Sequence, residues 1–169
     1  LTSCASIPKE TVQLSKVIGS DLVVLHNSHR KMVELYYDKI INDINAFVDE
    51  VYSPFVIHYV LNIELDKYKN GEPSIYGTIE LAGTTMGKSE TDDALNIMAE
   101  FIGDAKNQIE KKREELLKPI VKQKKDVIDN INKSYENTIY ANSTITGYLE
   151  STRKVKESQQ EASSLIGPQ

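Results

Sequence analysis

Tryptophan is absent from this chain, and only one cysteine and three histidines occur in it. A single cysteine excludes an intrachain disulfide and any Cys-rich zinc site. Three histidines leave little material for acid–base or metal chemistry. No stretch approaches the ~18 consecutive apolar residues that a bilayer span needs. Positive charge is not in excess either. Lys+Arg number 20 against 25 Asp+Glu, a net charge of −5, which speaks against a dedicated nucleic-acid binder. The Gly-x-Ser-x-Gly and His-Glu-x-x-His patterns do not occur, no glycine-rich phosphate loop is expected, and Ser, Asp and His are too scattered for a triad. The chain therefore reads as non-enzymatic, with no catalytic residue, cofactor, metal or small-molecule substrate.

What is present suits a folded domain. Of 169 residues, 40% are hydrophobic and 27% charged, and the mean hydropathy is −0.39. That length and balance predict one domain over residues 7–166, after a short segment 1–6.

Long helices dominate the pattern. In the first segment apolar or seam residues fall at Leu14, Ile18, Leu22, Leu25, His29, Met32, Tyr36, Ile40, Ile44, Phe47 and Val51. From Ile18 to Tyr36 the steps alternate four and three, the spacing of a heptad seam. Ser6 and Pro8 suit a helix start, and the helix is expected over about 8–52. Pro54 either kinks it or opens a second helix over about 54–69. The run Phe55–Leu61 is apolar nearly all round and too short to cross a membrane, so burial on two sides is expected. Asn70-Gly71-Glu72-Pro73 is a stop signal.

Residues 70–89 form a tip of different character, with four glycines from Gly71 to Gly87. Ile75, Gly77, Ile79 and Leu81 alternate with polar residues, which admits a short strand or β-hairpin, or merely an ordered loop. From residue 71 to 103 there are six acids and one lysine, so a charge equal to the whole chain's net value sits here. Ser89, Thr91, Asp92 and Asp93 then open a helix. Pro119 has no glycine beside it and is expected to kink rather than end the run, giving helices over about 90–118 and 119–153. Beyond Lys154 the apolar face is lost and fraying is expected. The fold class is therefore all-α: an elongated antiparallel bundle or coiled-coil hairpin with long bent helices. Either the two prolines fold the arms back into four helices, or the chain self-associates.

Several residues invite chemistry and have plainer readings. His26 and His29 share a helix face, but a metal would need Glu34, Asp38 or His58 as further ligands. A hydrogen-bonded core histidine is the better expectation. Thr138, Asn142 and Thr152 place polar groups in the second seam, where they fix register or face a partner. The basic stretch Lys111–Lys125 is interleaved with Glu110, Glu114 and Glu115, the pattern of a solvated ion-paired face. Asn132 and Asn142 begin N-x-Ser/Thr triplets, which are read as incidental.

The first four residues, Leu1-Thr2-Ser3-Cys4, resemble the lipobox of bacterial lipoproteins, in which an aliphatic residue and two small residues precede the lipidated cysteine. On this resemblance the chain begins inside a signal segment and Cys4 carries the lipid. Acyl chains contribute about 0.8 kcal/mol per buried methylene, enough in pairs to anchor a folded domain. Ala5 in place of aspartate after Cys4 points to the periplasmic side of the outer membrane. The resemblance implies an envelope protein acting as a spacer or protein-interaction module, with a protein partner or self-association and a membrane attachment at Cys4. The acidic tip would suit a basic partner. A second reading is a membrane-active helical toxin or pore component, because an apolar tip from Ile75 to Met86 joins long helices.

Overall fold

The computed structural model describes residues 7–165, so Cys4 and the expected cap Ser6 lie outside the described residues. The described chain is helical apart from its first two residues and short turns at 70–74 and 86–87, and it contains no strand. Helix α1 spans Lys9–Phe47. A π-helical turn over Val48–Tyr52 leads directly into α2, Ser53–Lys69, and α3 (Ile75–Thr85) and α4 (Lys88–Leu165) follow.

Neither internal proline interrupts its helix. Pro54 has no N–H, and its ring crowds the carbonyl four residues back. The chain meets this by widening one turn. The Ser53 N–H reaches the Val48 carbonyl five residues earlier, and the Ser53 hydroxyl donates to the same oxygen at 2.7 Å. Such single-turn π insertions absorb a local misfit without breaking the helix. Pro119 sits inside α4, which continues through it.

The tip corrects the strand expectation. Residues 75–85 are helix, not a hairpin. Ser74, buried and extended, caps this helix by accepting the Gly77 N–H at 3.1 Å, and the left-handed Met86 closes it. An isolated hairpin of this size is marginal in water. A capped helix docked on α2 buries Ser74 and holds the Ile75 N–H against the Glu64 carboxylate at 2.9 Å. The alternation of Ile75, Ile79 and Ala82 also fits a helical three–four step, which the strand reading passes over. The stop at Asn70-Gly71 is as expected: Gly71 takes φ 77°, and the bonds Gly71 N–H to Tyr68 O and Glu72 N–H to Lys67 O complete a Schellman ending.

The tail differs too. Where fraying is expected beyond Lys154, α4 remains helical to Leu165. Arg153 pairs with Glu157 at 2.7 Å, and Lys, Glu and Gln are good helix formers.

The chain divides into two compact units. In the first, residues up to Tyr36 and from Lys124 onward, the beginning of α1 lies antiparallel to the end of α4. Ser15 meets Thr146 and His26 meets Asn132. In the second, residues 37–123, Tyr37, Val48, Val56 and Ala94 are buried, with Val48 at 0% exposure. There the Arg113 guanidinium bonds Asn45 at 3.0 Å and Asp49 at 2.6 Å.

Candidate functional site

Within the second unit α2, the 73–75 segment and α4 enclose a groove of about 550 Å³. Its apolar lining comes from Val56, Ile57, Val60, Ile75, Ile97 and Phe101, and Glu64, Lys67, Glu100 and Asp104 stand among them. The run 55–61 is not buried on two sides, as its composition leads one to expect, but on one. One side of α2 is buried at Val56, while Phe55 and Tyr59 remain exposed and stack on each other. A neighbouring cleft of about 500 Å³ shares Pro73, Ser74, Thr78, Ile97 and Glu100 and adds Glu72, Glu90 and Asp93.

The electrostatics of the groove are uneven. Glu64 receives Lys67 Nζ at 2.6 Å and the Ile75 N–H at 2.9 Å. These two bonds hold its carboxyl below the usual range of about 4.5, against the opposing effect of burial. Its charge is therefore neutralised within the structure. The Glu80 carboxylate accepts from the Tyr68 hydroxyl and raises that phenol's pKa, which ties α3 to α2. The remaining acids give the rim its negative sign. Such a cleft suits an apolar group carrying positive charge, and no nucleophile–base pair lines it.

The His26–His29 pair and the polar seam residues lie elsewhere, in the first unit. His26 Nε2 bonds the Asn132 side-chain oxygen at 2.8 Å. His29 Nδ1 bonds the Tyr135 hydroxyl at 2.8 Å. The Tyr135 ring stacks on His26 with centroids 4.9 Å apart. His58 instead pairs with Asn62 in the second unit, and Glu34 pairs with Arg30 and Lys31. Among the described residues no group of three or more His, Cys, Asp or Glu gathers as a metal set. Asn142 does enter the seam, donating to the Ser15 carbonyl at 2.9 Å. Thr138 does not; its hydroxyl returns to the Ser134 carbonyl on its own helix. In the basic stretch, Arg113 is held by Asp49 and Glu110, Lys112 by Glu115 and Lys125 by Asp129.

One spacing in the tip passes unnoticed in the sequence. Ala82 and Gly87-Lys88-Ser89 come one residue type short of the G-x-x-x-x-G-K-S phosphate loop. The structure gives it no cradle. Residues 82–85 are helical, and Lys88 pairs with Asp92 at 2.6 Å. Cys4, the lipidation candidate, lies outside the described residues.

No helix among the described residues is long and apolar enough to cross a membrane. Comparison with protein-family models, with curated proteins and with solved structures finds no match to this chain.

Proposed function

We propose that this chain is a non-enzymatic helical interaction module of the bacterial envelope, attached to a membrane through a lipid on Cys4, and that the groove beside Phe101 is its docking surface for a basic partner segment. The observation that carries the docking reading is the groove itself: an apolar floor with uncommitted acids at Glu100 and Asp104 and a further acidic cleft beside it. A basic amphipathic helix meets both demands at once, its apolar face on Ile97 and Phe101 and its cations on the rim. The lipid anchor rests on Leu1-Thr2-Ser3-Cys4 alone. A structural role for the histidines is supported by their bonds to Asn132, Tyr135 and Asn62.

Calorimetric titration of the whole chain with a synthetic Leu/Lys helical peptide tests the docking. Micromolar binding, weakened at least tenfold by Phe101→Ala and by raising salt, is expected. Binding that Phe101→Ala leaves unchanged overturns it. Intact mass of the membrane fraction, with Cys4→Ser as control, tests the anchor: an added diacyl mass that vanishes in the variant supports it.

The membrane-active reading draws support from the exposed Ile79, Leu81 and Met86, the last 89% exposed. The surrounding acids oppose insertion at neutral pH. Dye release from liposomes at neutral or acid pH would favour it, and no release at either sinks it.

A further inference from the structure

In the first unit the face of α1 that meets α4 is not its most apolar one. The inward positions are Val12, Ser15, Gly19, Leu22, His26, Val33 and Tyr37, the last at the start of the second unit. The expected seam residues Leu14, Ile18, Leu25, Met32 and Tyr36 stand beside them, one position earlier in the chain, and are 44–63% exposed. A chain that spends Ser15, His26, Asn132 and Asn142 on its internal contact leaves this apolar stripe for something else.

The spacing of the stripe says what. From Leu14 the steps are four, seven, seven and four, so the stripe reads the same in both directions about Leu25. An isologous two-fold contact has this requirement: residue i meets j, and j meets i. We infer that a second copy of this chain packs on the stripe with its α1 antiparallel and the two-fold axis at Leu25. Leu25 then meets Leu25, Ile18 meets Met32, and Leu14 meets Tyr36. From Leu14 to Tyr36 the stripe rises through 22 residue steps, roughly 33 Å at 1.5 Å per residue.

Two further observations support the second copy. Ile145 and Tyr148 on α4 are exposed and sit one position before the inward Thr146 and Leu149. Stepping back one residue turns each helix by 100°, and in an antiparallel pair both turns lead to the same side. Beside Leu14 and Ile18 the two helices thus present apolar side chains on the same side. Seven large side chains with roughly 100 Å² open on each approach the ~800 Å² per partner of a standard interface. Asp21, within the stripe, decides the direction. A parallel pair would set it against its own copy, whereas the antiparallel pair sets it level with His29 of the second copy. Tyr36 keeps an interaction within its own chain and contributes here through its exposed ring surface.

Sedimentation of the full chain carrying Cys4→Ser tests the contact. A mass of two 19.0 kDa chains at micromolar concentration is expected, with Leu25→Glu raising the dissociation constant about 100-fold while helical circular dichroism is retained. Single cysteines in the same background give a readout that does not depend on that variant folding. Leu25→Cys should cross-link to itself, and Leu14→Cys should cross-link only when mixed with Tyr36→Cys. A single-chain mass at 100 µM overturns the inference, as does self-linking of Leu14→Cys. So does a single-chain mass that floats with phosphatidylglycerol vesicles, which would give the face to a lipid surface.

Discussion

The two units hold their helices together by different chemistry. In the second, four apolar side chains and the Ser74 cap are buried. In the first, only Val12 and Ser15 among the described residues reach that burial, and the contact runs through Ser15–Thr146, Asn142–Ser15, His26–Asn132 and His29–Tyr135. Arg30 and Arg153 there each keep a buried Nε without a hydrogen bond. Apolar burial contributes about 25 cal/mol per Å² without regard to direction. A polar pair contributes only about 1 kcal/mol net, but it loses that and more when one partner is removed. The second unit should therefore supply most of the stability, and the first should supply register.

The largest expected effect separates the two kinds of surface. Val48→Asp places an unpaired charge at a fully buried position and should cost at least about 3 kcal/mol in urea unfolding. The same change at the exposed Val17 should stay within about 0.5 kcal/mol. Next, Ser74→Ala removes the buried cap of α3 and should cost about 1–2 kcal/mol, with loss of helical signal from residues 75–85. In the polar seam, Ser15→Ala and Thr146→Val should each destabilise by about 1 kcal/mol. The double variant should cost little more than either, giving a coupling of about 1 kcal/mol.

Glycine substitutions sharpen the contrast further. A Cβ at Gly147 meets nothing, whereas one at Gly19 would lie 2.8 Å from the Asn142 amide nitrogen. Gly147→Ala should stabilise by about 0.8 kcal/mol through helix propensity. Gly19→Ala should lose that gain, because Asn142 must leave the Ser15 carbonyl. The smallest effect concerns acid. Glu64 has a folded pKa below its ordinary value near 4.5, so its contribution is complete above that value and is lost as pH falls through the folded one. Unfolding curves between pH 5 and 2.5 should show this loss in the native chain and a weaker slope in Glu64→Gln.

Much of the fold was legible because helix signals are local. The Asn70-Gly71 ending and the tolerance of Pro119 each follow from a few neighbouring residues. The seam was harder. On α1 two apolar stripes lie side by side, and periodicity cannot say which one faces α4. The choice depends on Asn132, Asn142 and Thr146 more than 100 positions away, whose hydrogen bonds to His26 and Ser15 draw in the more polar stripe. In the tip, Ile75 to Leu81 satisfies both a two-residue and a helical period. Ser74 decides between them by its bond to the Gly77 N–H, a cap of ordinary composition that the strand reading hides. The groove was half visible. The apolar composition of Phe55–Leu61 supplies one wall, but of this run only Val56 is buried, and Ile97 and Phe101 join it only through the reversal at 70–74.

Hydrogen exchange with and without the Leu/Lys peptide tests most directly whether the groove is the docking surface. Amides of residues 75–78 and 97–105 should slow at least tenfold on peptide addition, while those around Ser15, His26 and Asn142 keep their rates. Unchanged exchange at 75–78 and 97–105, or equal slowing in both units, would contradict it.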